Sequence, residues 1–298
     1  MILATGATGK SGREIVKQLS QAGAQVRALV RDPTKAVWLG ELPGVEVVQG
    51  DLGQPETLDA AFKGIERALL LPAPAPSSVA EQANFIAAAV RAATPHVVKF
   101  SAVGADASAA EGFARWHGLG EEQLKASGLA YTILRPALFM QELLNTWGGQ
   151  QTIYLPMGDA RQAPVDTRDI AAVAVKTLTE DGHAGRTYEI TGPESLTFTE
   201  IAAQIADATG REVNYVPITF EQYRQALTQM NLPAWLVEAI IDLYEKLATG
   251  VGSEVTNVVR EVAGQEPTTF AAFAREHAQQ FKGQTQRQVT SNEQGQVD

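Results

Sequence analysis

Short apolar runs alternate with amphipathic stretches along the first half of the chain. Ile2-Leu3-Ala4 is an apolar run, and Arg13 to Leu19 after it carries apolar residues at helical spacing. The same rhythm predicts strands at Gln25 to Val30, Val45 to Gln49, Ala68 to Leu71, His96 to Phe100 and Tyr131 to Leu134. Between them fall helices at Leu58 to Phe62, Glu81 to Ala93 and Phe113 to Ala126. Pro43-Gly44, the prolines 72, 74 and 76, and Gly128 punctuate the series. Strands separated by helices at this interval imply βαβ units, right-handed crossovers and a parallel sheet. The expected fold is therefore α/β: a doubly wound, Rossmann-like parallel sheet with a smaller, mostly helical C-terminal substrate lobe.

After Arg135 the pattern changes. Asp166-Thr167-Arg168-Asp169 opens a helix over Ile170 to Leu178, and Thr187 to Ile190 reads as one more strand. Helices then dominate. Thr197 with Glu200, and Thr219 with Gln222, have capping-box spacing ahead of Ile201 to Ala208 and Tyr223 to Met230. Gly210 closes the first of these, and Pro233 opens a helix from Ala234 to Ala248 that Gly250 ends. A last helix runs from Thr268 to His277. The expected organisation is a dinucleotide-binding domain over residues 1–150, with 160–192 returning to it, and a lobe over 193–282. The polar, glutamine-rich stretch 283–298 is expected to be a disordered tail.

Composition narrows the function classes. The chain has 298 residues, 45% hydrophobic and 19% charged, enough to bury a sizeable core. A net charge of −10 argues against a nucleic-acid partner, which calls for a basic stripe. No apolar run nears the 18 residues of a membrane span, and no leader precedes the first strand, so a cytoplasmic protein without a membrane partner is expected. Cysteine is absent, which removes disulfides and thiolate chemistry. His96, His117, His183 and His277 lack metal-ligand spacing, and no metal is expected.

The candidate chemistry begins at Gly6-Ala7-Thr8-Gly9-Lys10-Ser11-Gly12. Glycines at i, i+3 and i+6 between a strand and a helix let backbone approach a pyrophosphate, and the helix turns its free N–H groups and positive dipole end toward that charge. The residues after the second strand discriminate between nicotinamide cofactors. A carboxylate there serves the ribose 2′-OH of NAD, and an arginine the 2′-phosphate of NADP. Arg31 stands 19 positions past Gly12, with Lys35 as a second cation, so NADPH is favoured; Asp32 leaves NADH open. Asp51, in Gly50-Asp51-Leu52, either meets the adenine amino group or caps the next turn. Leu71 and Pro72 form an apolar wall beside the crevice, and Pro136 leaves the sixth strand near the nicotinamide.

These residues, together with Trp116-His117-Gly118, Ser127-Gly128-Leu129, Thr132-Ile133-Leu134-Arg135-Pro136 and Val165 to Ala171, give a resemblance over roughly residues 1 to 280. The chain resembles NmrA-like members of the atypical short-chain dehydrogenase/reductase superfamily, and is similar within it to type 2 NAD(P)H:quinone oxidoreductases and triphenylmethane reductases. The resemblance implies either a reductase or an NADP-binding redox sensor without turnover. Typical superfamily enzymes carry Tyr-x-x-x-Lys on the helix before the sixth strand, whereas this chain has His117 and Glu121 at that i, i+4 spacing.

Two side chains are therefore candidates for catalysis. His117 can donate a proton, with Glu121 favouring its charged form, and Ser101 can hydrogen-bond a substrate oxygen. Alternatively His117 packs at the helix start while Glu121 faces water. A quinone or cationic dye needs little more than correct placement against the hydride donor, so the expected partner is a small planar acceptor. The segment Ala137 to Met140 offers it an apolar surface, and Trp147, Met157 and Tyr244 either line the same cleft or fill the core. Arg135 is expected to pair with Asp166 or Asp169.

Overall fold

The computed structural model describes residues 1–147 and 149–283. In chain order the first part runs β1 (Ile2–Ala4), α1 (Lys10–Gln21), β2 (Val26–Val30), α2 (Val37–Gly40), β3 (Val45–Gln49), α3 (Leu58–Ala61), β4 (Arg67–Leu70), α4 (Ser78–Arg91), β5 (His96–Phe100), α5 (Phe113–Ala126) and β6 (Ala130–Pro136). Then come α6 (Met140–Trp147), β7 (Thr152–Leu155), β8 (Arg161–Gln162), α7 (Thr167–Thr179) and β9 (Arg186–Ile190). The remainder is β10 (Leu196–Thr197), α8 (Phe198–Thr209), β11 (Asn214–Pro217), α9 (Phe220–Gln229), α10 (Ala234–Ala248), α11 (Phe270–Glu276) and α12 (Ala278–Phe281).

Seven strands form one sheet in the order β3-β2-β1-β4-β5-β6-β9, and every neighbouring pair is parallel. The order reverses between β1 and β4, so the crevice of a doubly wound sheet opens above the carboxyl ends of these two strands. Side chains alternate between the two faces, as strand pleating requires. Ala4, Ala28, Val98 and Leu134 join Ile15 and Val16 of α1 and Ile170 and Val173 of α7 in one core. Leu3, Leu29, Leu70 and Val97 join Phe85 of α4 and Leu124 of α5 in another. The strands are apolar on both faces because both are covered.

A third core belongs to the lobe: Phe198, Ile201 and Ile205 of α8 pack with Phe270, Phe273 and Phe281. It also takes Met140, Leu143 and Trp147 of α6 and Ile153, Leu155 and Met157, so the chain turns into the lobe directly after β6. The lobe contains two small sheets the pattern does not announce, parallel β7–β11 and antiparallel β8–β10. Their strands are two to four residues long, too short for a period to emerge. The last expected helix forms as α11 and ends at His277, and a further short helix, α12, follows it. Of the expected tail, 284–298 lie outside the described residues. Among the described residues no helix is long and apolar enough to cross a membrane.

Candidate active site

At the β1–α1 turn the backbone leaves no room for side chains. A Cβ on Gly12 would stand 2.1 Å from the Gly6 carbonyl oxygen, so the first turn of α1 lies directly on the loop. Gly6 has φ +65°, and a Cβ there would meet the Leu71 side chain at 2.6 Å. The Gly9 N–H donates to the Gly6 carbonyl at 2.9 Å, which closes the turn. Helix α1 begins with no capping side chain and no acidic residue in its first turn, whereas Asp166, Thr197, Thr219 and Thr269 cap α7, α8, α9 and α11. Among the described residues its leading N–H groups therefore have no side-chain partner, as an anion site requires. Ala7 and Ser11 are buried in the turn, while Thr8 and Lys10 are exposed; the Lys10 ammonium reaches Glu142 of α6 at 2.8 Å. Thr5, not singled out by the sequence reading, locks the strand ends together: its hydroxyl donates to the Leu69 carbonyl at 3.0 Å and accepts from the Leu71 N–H at 2.9 Å.

The other sequence-predicted residues gather along the same edge of the sheet. Arg31 and Lys35 follow β2, and both are exposed. The Arg31 guanidinium has no hydrogen bond or ion pair among the described residues. Asp32 is occupied instead: it accepts from the Thr34 N–H at 3.0 Å and hydroxyl at 2.6 Å, and it pairs with Lys35 at 3.6 Å. It therefore caps the short turn Pro33–Lys35. After β3, Asp51 accepts the Gly53 N–H at 2.9 Å, so it too closes a turn, and the Leu52 carbonyl is held by Asn84 at 2.8 Å. Leu71 and Pro72 follow β4, with Leu71 against Gly6, and Pro136 is buried at the end of β6.

Ser101, His117, Glu121 and Arg135 come together at the β5–β6 corner. Ser101 donates to Glu121 Oε1 at 2.6 Å. The Arg135 guanidinium grips the same carboxylate with two hydrogen bonds, 2.9 Å from Nε and 2.7 Å from the terminal nitrogen. Glu121 thus does not face water: its side chain is 2% exposed, and Lys125 adds a third contact at 3.3 Å. Burial pushes its carboxyl up, but the hydrogen bonds from Arg135 and Ser101 outweigh burial and hold it below the ordinary carboxylate range. Arg135 also meets Glu189 at 3.6 Å, not Asp166 or Asp169 as the spacing suggested. Asp166 is taken by Arg168, and Asp169 accepts from Gln265 and Thr268. Sequence distance hid the true partner: Glu121 lies on the helix preceding β6, and the crossover lays that helix over Arg135.

Glycines shape this corner as well. A Cβ on Gly118 would stand 2.2 Å from the Ala107 nitrogen, and one on Gly120 would stand 2.0 Å from Gln82 Oε1. The loop before α5 and the Gln82 side chain of α4 therefore both seat directly on the helix around His117. The imidazole is half-buried, and burial together with the positive charge of Lys99 depresses its pKa to about 3 against the pull of Glu121, so it is neutral at physiological pH. Of the apolar candidates, Met140, Trp147 and Met157 are core residues, and Tyr244 packs edge-on against Tyr223. Leu138 and Phe139 remain half-exposed after β6.

Comparison with known proteins identifies this architecture, with residues 1–274 matching the model of the NmrA-like family. The chain belongs to the NmrA-like family. One relative of this NmrA-like chain, the NAD(P)H azoreductase of Xenophilus azovorans, is 39% identical over 284 residues, covering 94% of this chain and 99% of that protein. Among solved structures, an NADPH-dependent quinone oxidoreductase from Escherichia coli complexed with NADPH superposes with a TM-score of 0.85 at 28% identity, over 93% of this chain and 99% of its own. The Citrobacter sp. triphenylmethane reductase complexed with NADP(H) superposes with a TM-score of 0.83 at 27% identity, over 93% and 100%.

Proposed function

We propose that this chain is an NAD(P)H-dependent reductase that passes hydride to a small planar acceptor such as a quinone, with NADPH as the preferred donor. The observation that carries the reading is the β1–α1 turn, where the place of a Gly12 Cβ is filled by the Gly6 carbonyl and the uncapped end of α1 faces the crevice. The activities named for the azoreductase, quinone oxidoreductase and triphenylmethane reductase relatives support it. The turn Gly6-Ala7-Thr8-Gly9-Lys10-Ser11-Gly12 would hold the pyrophosphate. Arg31, whose fork has no internal partner, would take the 2′-phosphate with Lys35 beside it. Asp51 and Leu52 would border the adenine, and Leu71, Pro72 and Pro136 would wall the crevice. When bound, the reduced nicotinamide supplies the hydride.

The residues of the β5–β6 corner then have separable duties. Glu121 is fixed as a carboxylate by Arg135 and Ser101, so it orients the corner and does not give up a proton. His117, neutral, is suited to hydrogen-bond an acceptor oxygen or nitrogen, and Leu138 and Phe139 supply apolar surface for a flat ring. Titrating the protein with NADPH and NADH by nicotinamide fluorescence, then adding quinones, azo compounds and triarylmethane dyes, tests the reading. Tight NADPH binding with cofactor consumption supports it. Tight binding with no acceptor turned over would leave an NADP-sensing regulator, the reading that the missing Tyr-x-x-x-Lys pair favours.

A further inference from the structure

Behind His117 lies a lysine that no duty above employs. Lys99 is on β5, its residue fully buried, and its neighbours in register are Leu70 on β4 and Ile133 on β6. Residues two apart on a strand share a face, so Lys99 and Ser101 both turn toward α4 and α5, as Arg135 does from β6. His117 and Glu121, four apart on α5, face them. The Lys99 ammonium donates to Gln82 Oε1 at 2.6 Å, and the Gln82 amide is itself pinned by donating to Ser78 Oγ at 3.0 Å and the Trp116 carbonyl at 3.1 Å. Gly120 makes the space that lets Gln82 reach it.

His117 lies near enough to this lysine for the ammonium charge to act on its imidazole. Its Nδ1 is buried without a hydrogen-bond partner, while Nε2 is bonded to nothing among the described residues and is not sealed off. We propose that Lys99 is the proton reservoir of the active site and reloads His117 from behind as His117 protonates an acceptor that has taken hydride. The inference rests on the reductase reading. An acceptor such as a quinone or azo compound that has gained hydride from a reduced nicotinamide carries a negative charge and lacks one proton. The Nε2–H bond of His117 breaks and that proton joins the acceptor, while Nδ1, which has no direct partner among the described residues, takes a proton from the Lys99 ammonium across one bridging water. Imidazole stays neutral throughout, changing only its tautomer, and Lys99 becomes an amine; solvent then returns a proton to Nε2 while the Nδ1 proton goes back to the buried Lys99 amine, which restores both groups.

The charges around the lysine fit this role. From α5 it faces His117 and Glu121, from β6 Arg135, and from α4 only the neutral Gln82 and Ser78. Among the described residues Glu121 is the one anion facing it, and it is already claimed by Arg135 and Lys125, while Glu189 lies on the far side of Arg135. Burial therefore lowers the Lys99 ammonium to about 7 despite Glu121, where it gives and regains a proton readily.

A change of acceptor isolates the proton step. A cationic triarylmethane dye becomes neutral on gaining hydride and needs no proton, whereas a benzoquinone needs one. Lys99→Met is expected to lose about 100-fold in kcat with benzoquinone, within the range for general acid catalysis, and to stay within about twofold on the dye. Its affinity for NADPH, read by fluorescence, should not change. His117→Phe should lose quinone turnover at least as severely. Wild-type quinone turnover should fall above pH 7, and the Lys99→Met remainder should not follow it. A readout without turnover comes from melting. The unfolded chain keeps its lysine proton to about pH 10.4 while the folded chain releases it near 7, so wild type should gain Tm over Lys99→Met as pH rises from 6 to 9. If Lys99→Met does not fold, Lys99→Gln, which keeps a donor toward Gln82 but has no ammonium proton to give, carries the same expectations. Equal losses on quinone and dye, or no loss on either, overturn the relay while leaving the reductase intact. A wild type that reduces neither acceptor overturns the reductase reading and the relay with it.

Discussion

Two corners of one sheet edge do different kinds of work. At β1 the chemistry is backbone: glycines that a Cβ would displace, an uncapped helix end, and a threonine tying two strand ends together. At β5–β6 the chemistry is side chain: a carboxylate held by a guanidinium and a hydroxyl, a neutral imidazole and a buried lysine. The first corner is rigid because its atoms have nowhere to go. The second is rigid because its charges are matched, and removing one partner leaves another buried and alone. A turn of the first kind tolerates no added volume but is indifferent to pH, while a network of the second kind tolerates volume better than an unpaired charge.

The sharpest way to break that contrast is to unpair Glu121. Arg135→Met should cost about 3–5 kcal/mol of stability by denaturant unfolding, the usual cost of orphaning a buried charge, and Arg135→Met/Glu121→Met should recover much of it. Because the Glu121 carboxyl is held below its unfolded value, its contribution is complete above the unfolded carboxylate range near pH 4.3 and is lost as pH falls through the folded value; the wild type should therefore lose its advantage over the double variant on acidification. At the other corner, Gly12→Ala forces a Cβ against the Gly6 carbonyl. It should cost about 1–3 kcal/mol as an overpacking strain and weaken NADPH and NADH alike, with no change in the pH dependence of unfolding. Arg31→Ala should reduce NADPH affinity by about 1.5–3 kcal/mol and leave NADH nearly unchanged; equal losses would show that Arg31 does not read the phosphate. The smallest effect is expected far from both corners. Thr197→Ala removes the capping box of α8 and should cost about 1 kcal/mol in a melt without altering cofactor affinity.

The two corners also differ in how plainly the chain declares them. Strand β5 and helix α5 lie where the apolar pattern put them, and the capping boxes at Thr197 and Thr219 form as spaced. The small lobe strands escaped notice because two to four residues carry no period, and the four-residue α12 after His277 is too short to show one. Lys99 sat unremarked in the run His96 to Phe100, since a single lysine in an apolar strand reads as an edge position until both faces are seen to be covered. Asp51 reads as an adenine contact or a turn cap and Asp32 as the residue that leaves NADH open; in the fold both accept hydrogen bonds from the turns that follow them.

By itself the sequence determined the alternation of strand and helix, the glycine turn and the cation at the end of β2, because each depends on residues within a few positions of one another. Only the tertiary structure decided that Arg135 belongs to Glu121, that Gly120 opens a place for Gln82, and that Lys99 stands behind His117. Those matches join α4, β5, α5 and β6, and partners separated by 14 to 38 residues in the chain become neighbours only when the crossovers fold the helices onto the sheet.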